Sequence, residues 1–354
     1  MRSVIPVALL VANSLPFVAQ ALASPQPIII DTDLFGDVDD IGALAIANVL
    51  QNCGLADLKG VIINTPSEHG APAASSICSY FGNPEVPVAA LRPLSNVTFF
   101  DDWDYVRGEY ASKVAYNWPG TLTNASLSPT PVDLYRSILA SADNNSMHII
   151  SIGFLTNLAD LLRSEGDDIS PLTGPELVAA KVSEMIIMGG RYPFGWEYNF
   201  GGTDPDSTAY VIANLPESVP ITFSGGELGN NIFSGDRPLA EALTSNESPV
   251  ISAYQWYVTR GSVRRETWDP IAVLYGVLGL DGFAEIGMWP LLSYANEDGY
   301  NTITASNASN AWVNDTSVTN QHWLKLADGV TNTTMAWVID NFLVHPPEVL
   351  TCLV

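Results

Sequence analysis

One stretch constrains this chain more than any other: Ile28-Ile29-Ile30-Asp31-Thr32-Asp33-Leu34-Phe35-Gly36-Asp37-Val38-Asp39-Asp40. An unalternating apolar run is what a strand covered on both faces selects, so Ile28–Asp33 reads as a buried strand of a parallel-type sheet. Five acids then fall within ten positions, at Asp31, Asp33, Asp37, Asp39 and Asp40. Crowded at one strand end, their carboxylates repel one another and rise in pKa unless a hard cation or a hydroxyl-rich ligand stands between them. The stretch predicts a fold class and a site together.

The same grammar of buried strand, turn and helix recurs along the chain. A helical pattern runs from Asp39 to Leu50, with Asp39 or Asp40 placed to cap it. Leu58–Ile63 reads as a second strand ending at Asn64, followed by a small-residue helix through Tyr80. Met147–Ser151 leads through Gly153-Phe154-Leu155-Thr156-Asn157 into a helix near Leu158–Arg163. Glu184–Met188 ends at Gly189-Gly190, and Pro220–Phe223 at Ser224-Gly225-Gly226. Such alternation predicts an α/β fold with a mostly parallel, Rossmann-like open sheet and helices on both faces. Ligands of such sheets bind beyond the carboxyl ends of the strands, where Asp33, Asn64, Thr156 and Met188 all fall.

The remainder fits one domain from residue 24 to 354. Asn83–Pro131 reads as a long surface excursion, and Pro249–Tyr257, Pro270–Gly279 and Thr333–Val344 read as helices. Asp269 stands where it caps the second of these, with Pro270 at its first position.

Residues 1–23 read as a signal peptide. Arg2 gives a positive start, Val4 to Val18 an apolar segment too short to span a bilayer, and Ala21-Leu22-Ala23 a small-residue cleavage pattern. Seven acceptor tripeptides for N-glycosylation, at Asn96, Asn124, Asn144, Asn246, Asn307, Asn314 and Asn332, agree with a secreted, extracellular glycoprotein. No later apolar run reaches the roughly 18 residues of a membrane anchor. Of three cysteines, Cys53 and Cys78 could pair and leave Cys352 unpaired, or remain buried thiols. With 38 acidic against 14 basic residues, nucleic-acid polymers and anionic membranes are disfavoured partners, whereas a small uncharged nucleoside is not.

Oxygen donors alone (Asp33, Asp39, Asp40, a carbonyl or hydroxyl near Thr156, and Asp269) suit a hard cation. Calcium comes before magnesium because no phosphate-binding motif accompanies them. A cation-bound water with a carboxylate to take its proton is hydrolytic chemistry.

Asp31-Thr32-Asp33 through Asp39-Asp40, Gly153-Phe154-Leu155-Thr156-Asn157, Met188-Gly189-Gly190, Glu197-Tyr198-Asn199 and Trp268-Asp269-Pro270, in this order, resemble the nucleoside hydrolases of the inosine-uridine type. The resemblance spans nearly all of the chain after the leader. It implies calcium-dependent hydrolysis of the N-glycosidic bond of ribonucleosides, purines slightly preferred, and assembly as a homodimer or homotetramer. It also implies that Asp33, Asp40, Asp269 and the Thr156 carbonyl hold calcium while Asp33 deprotonates the attacking water. Asp39, Asn64, Glu197 and Asn199 are implied to bind the sugar, with Met188 packing nearby.

Two departures accompany it. The acidic loop is longer than usual, which leaves Asp37 without a role, and Trp268 stands where members with a His-Asp-Pro motif carry the acid that protonates the leaving base. Trp196 or Trp268 stacking on a purine, or the loop residue His69, are the candidates to replace it. Two other functions are weighed: a secreted calcium-dependent nucleoside or ribose binder without turnover, and a phosphatase using Asp31-Thr32-Asp33. The few lysines near strand ends disfavour the phosphatase.

Overall fold

The computed structural model describes residues 24–96, 109–235, 247–258, 264–351 and 354. The proposed leader, Cys352, and parts of the acceptor tripeptides at Asn96 and Asn246 lie outside them.

Ile28, Ile29 and Ile30 are fully buried on a strand with parallel neighbours on both sides. Strands β1 (Gln26–Thr32), β2 (Ala56–Ile63), β3 (Val88–Ala90), β4 (Met147–Ile152), β5 (Val182–Met188), β6 (Phe194–Gly195) and β7 (Ile221–Ser224) come first. They are followed by β8 (Phe233–Ser234), β9 (Arg265–Glu266), β10 (Leu292–Tyr294), β11 (Tyr300–Ile303), β12 (Asn310–Val313) and β13 (Gln321–Leu326). Eight of them form the main sheet, in the order β10-β13-β7-β5-β4-β1-β2-β3. All its pairings are parallel except that of β10 with β13 at one edge. The mostly parallel α/β sheet expected from the sequence is therefore the one observed. Near the carboxyl end, β10 and β13 extend the sheet that begins with β1, whereas β11 and β12 form a separate three-stranded sheet with β6.

Side-chain alternation splits the isoleucines between two cores. Ile28 and Ile30 join a cluster with Leu44 and Ile46 of helix Asp39–Asn52 and Ile271 of helix Asp269–Leu278. Ile29 faces Ile62, Ile149, Ile187 and Tyr135 on the opposite side. Helices thus cover both faces, and β1 is left open only at its carboxyl end. The chain runs outward from β1 to β3 and returns on the other side through β4, so β1 and β4 flank a topological switch point, the place where such sheets bind ligands.

Four local expectations are corrected. Asp39 and Asp40 do not cap their helix: Val38 holds the cap position without a side-chain bond, and both acids lie in the first turn. Asp269 likewise begins its helix behind Trp268 and makes no cap bond, because its carboxylate turns towards the other acids. Cys53 is disulfide-bonded while Cys78 is a buried free thiol, so the two are not paired with each other. The excursion from Asn83 is also less peripheral than expected, since it supplies the buried edge strand β3 and helix Ala111–Asn117.

Candidate active site

β1 delivers the acidic loop to the switch point, and the loop is held there by tyrosines. The Tyr110 hydroxyl accepts the Phe35 N–H at 2.9 Å and donates to the Asp37 carbonyl, and the Tyr257 hydroxyl donates to the Gly36 carbonyl at 3.3 Å. Phe35 adopts φ 138°, a conformation that costs a non-glycine residue about 1–3 kcal/mol and persists only where its surroundings enforce it. A glycine is needed opposite, because a Cβ at Gly153 would stand 2.8 Å from the Asn64 amide nitrogen and press on the Asp33 backbone.

Asp33, Asp40 and Asp269 converge, with one carboxylate oxygen of each within 4.8 Å of the others, and all three are buried. Thr32 donates its hydroxyl to Asp40 Oδ1, while Asp40 Oδ2 is buried with no partner. Burial raises the pKa of all three. Asp37 and Asp39 add to the rise at Asp33, Asp33 and Asp39 at Asp40, and Asp39 and Asp40 at Asp269. Three oxygen donors with mutual repulsion and an orphaned oxygen fit a hard cation, which removes the repulsion and fills the missing contact. Thr156 starts helix Thr156–Arg163, and its hydroxyl donates to Asp204 at 3.2 Å.

A cavity of about 510 Å³ opens above this cluster. Asp33, Asp37, Asp39, Met188, Glu197, Tyr198, Asn199 and Asp269 line it together with Trp196, Trp268, Asn230, Arg191 and Arg265. Glu197 caps helix Tyr198–Gly201, accepting the N–H groups of Asn199 at 2.9 Å, Gly190 at 3.2 Å and Phe200 at 3.3 Å. Burial still pushes it up to about 7 against those bonds. The Asn199 amide donates to the Met188 carbonyl at 3.2 Å. Trp268 Nε1 donates to the Gly226 carbonyl at 2.9 Å and to Asn230 Oδ1 at 3.1 Å, which fixes the indole plane. Burial, and then Asp37, raise Asp39 to about 7, although it accepts the N–H groups of Trp268 and Asp269.

Two expected residues stand elsewhere. Asn64 is not on the cavity wall. Its amide donates to Asp31 Oδ1 at 2.6 Å and to the Phe154 carbonyl at 2.9 Å. Asp31 also receives Tyr135 at 2.7 Å and Asn157 at 3.2 Å, yet burial holds it at about 7. His69 lines a separate hollow with Glu68, Lys113 and Tyr116, away from the acids.

Sequence reasoning left Asp37 without a role and passed over Arg265. The two form a forked ion pair, with Nε to Oδ1 at 2.9 Å and Nη2 to Oδ2. The available signal was a rare arginine pair, Arg264-Arg265, in an acidic chain just before Trp268-Asp269-Pro270.

An acidic cluster suited to a cation, lying under a polar and aromatic cavity at the carboxyl ends of a parallel sheet, defines a hydrolytic site for a small ligand. The chain belongs to the inosine-uridine preferring nucleoside hydrolase family, whose model matches residues 28–320. Its fold is similar to that of a plant nucleoside hydrolase, PpNRh1, at TM-score 0.63 and 18% identity over 91% of this chain and 100% of that one. It is also similar to a purine-preferring ribonucleoside hydrolase from Gardnerella vaginalis, at TM-score 0.62 and 17% identity over 92% and 99%. A third similar fold is that of the type III effector XopQ complexed with adenosine diphosphate ribose, at TM-score 0.62 and 15% identity over 90% and 93%. No curated protein sequence matches the chain.

Proposed function

We propose that this nucleoside hydrolase is a calcium-dependent enzyme that cleaves ribonucleosides to base and ribose, with purine nucleosides slightly preferred. The observation that carries the reading is the convergence of Asp33, Asp40 and Asp269, the first and last of which line a cavity walled by Trp196 and Trp268. These three carboxylates and the Thr156 carbonyl would hold the calcium, which when bound would order the sugar hydroxyls and lower the pKa of a water. Asp33 takes the proton of the water that attacks C1′. Asp39, Glu197 and Asn199 bind the sugar, and Met188 packs beneath it. Asn64 acts one step back, by holding Asp31. The ribose becomes electron-poor as the bond breaks, so fixed carboxylates around it stabilise the transition state more than the ground state.

Export belongs to the same proposal. It is supported by the leader pattern, by exposed Asn124, Asn144, Asn307, Asn314 and Asn332 in acceptor tripeptides, and by the disulfide at Cys53. The test is ribose release from inosine, guanosine, adenosine and uridine by the secreted protein, with and without chelation. Release that stops on chelation and returns with calcium is expected. Turnover that survives chelation, or faster cleavage of uridine than of inosine, would remove the calcium or the purine part of the reading respectively.

A further inference from the structure

Breaking an N-glycosidic bond leaves its electron pair on the base, and that charge needs a proton or a cation to meet it. Among the described residues that line the cavity there is no histidine. Trp268 Nε1 is already committed to Gly226 and Asn230. Two of the described residues on the wall are cationic, Arg191 and Arg265. Arg191 is exposed, whereas Arg265 is only 8% accessible. A charge held away from water acts more strongly on its neighbour and needs no reorganisation when the reaction occurs.

We propose that Arg265 receives the departing base, its guanidinium binding the negative charge that collects on the base as the C1′–N bond breaks. The inference rests on the hydrolytic reading above and supplies its missing partner for the leaving group. Arg265 is fixed from several sides. Its backbone lies in β9, paired with Ser234 of β8. Asp37 takes Nε–H and one Nη2–H, and Glu266 takes one Nη1–H at 2.5 Å. Three of the five N–H groups are thereby used, and two remain for a ligand. The guanidinium carbon stands 5.0 Å from the Trp268 ring centre, within range of a cation–π contact. A pinned indole and a pinned cation form a corner: the plane of the base meets the first and its edge the second.

This also accounts for the lengthened loop. An arginine buried beside a cavity is tolerated only with a partner charge, and Asp37, anchored through its carbonyl by Tyr110, is that partner. The step balances. The water oxygen bonds to C1′, its proton passes to the Asp33 carboxylate, and the C1′–N electron pair leaves with the base as an anion bound to Arg265. The guanidinium keeps all its protons. The released anion is neutralised by solvent, to which Asp33 returns the proton it took.

The test compares inosine with p-nitrophenyl β-ribofuranoside, whose phenolate leaves without assistance. Arg265→Gln is expected to lower kcat/KM for inosine about 100-fold and for the nitrophenyl riboside less than about tenfold. Arg265→Lys, which keeps the charge, is expected to recover at least about tenfold of the inosine rate over Arg265→Gln. Equal losses on both substrates would overturn the proposal, because a residue that merely supports the acidic loop slows both alike. A selective loss of inosine cleavage in Tyr198→Phe with none in Arg265→Gln would also overturn it. Absence of ribose release from either substrate by the unaltered protein would overturn the hydrolytic reading itself, and this inference with it.

Discussion

The main-chain N–H of Trp268 donates to Asp39 Oδ2 at 2.9 Å, and the next amide, that of Asp269, donates to the same oxygen at 3.1 Å. A carboxylate from the acidic loop thus serves the amino terminus of a helix that starts 230 residues later. The bond has two consequences. It satisfies N–H groups that the helix leaves without internal partners, and it fixes the depth of Trp268 in the cavity.

Asp39→Asn keeps an acceptor for both amides but loses the charge, so stability is expected to change little while kcat/KM for inosine falls about 100-fold. Asp39→Ala loses both and is expected to be destabilised by about 1–2 kcal/mol as well. Urea unfolding beside the inosine assay checks this. Equal destabilisation by the two variants would show that the charge, not the acceptor, secures the helix.

Calcium is expected to raise the unfolding midpoint in a way that depends on the three converging acids. At a free concentration about 100 times Kd the gain is about 2.7 kcal/mol. Asp40→Asn, which alters the orphaned oxygen, is expected to abolish the shift. Asp37→Asn, which breaks the Arg265 pair, is expected to retain it. Thermal unfolding with and without calcium distinguishes them, and loss of the shift in Asp37→Asn would place that carboxylate on the cation.

These outcomes depend on features that were legible to different degrees in the sequence. The sheet was readable because the apolar run Ile28–Ile30 fits a doubly covered strand and the same strand, turn and helix order recurs along the chain. The converging acids were readable because Asp33, Asp40 and Asp269 each adjoin a strand end or a helix start. The pairing of Asp37 with Arg265 was not, since their separation of 228 residues leaves no local pattern. Asn64 was placed at the correct strand end, but only the fold shows that its amide turns behind the wall to Asp31. The capping roles failed for a related reason. Local spacing favours Asp39 and Asp269 as caps of their own helices, whereas the tertiary structure draws the Asp269 carboxylate into the cluster and turns that of Asp39 to the amides of Trp268 and Asp269.

Tyr135→Phe isolates what supports Asp31. The hydroxyl is buried and reaches Asp31 Oδ2 at 2.7 Å from a position 104 residues away. Its removal leaves a buried carboxylate one donor short, with a cost of about 1.5–3 kcal/mol for a bond to a charged group. The expected signature is lower stability in urea with KM for inosine nearly unchanged, because Tyr135 does not line the cavity. A large rise in KM would mean that Asp31 transmits its position to the sugar-binding residues.

Asp167 gives the pH dependence that is independent of any cation. Arg136, almost wholly buried, donates to both its oxygens, at 2.7 and 2.9 Å, and also to Ser164, Ser170 and Leu172. The Arg136 hydrogen bonds, helped by the Ser170 amide, lower Asp167 from 3.8 to about 2. Because the folded value is depressed, the stabilisation is present above the unfolded value of about 3.8 and is lost as pH falls towards about 2. Asp167→Asn is therefore expected to unfold at a lower temperature than the unaltered protein at pH 7, with the gap closing between about pH 4 and about pH 2. Because Asp167 is partly open to solvent, added salt is expected to narrow the gap at pH 7. A gap that persists unchanged to pH 2 would assign the effect of the substitution to lost hydrogen bonding geometry and not to the charge of Asp167.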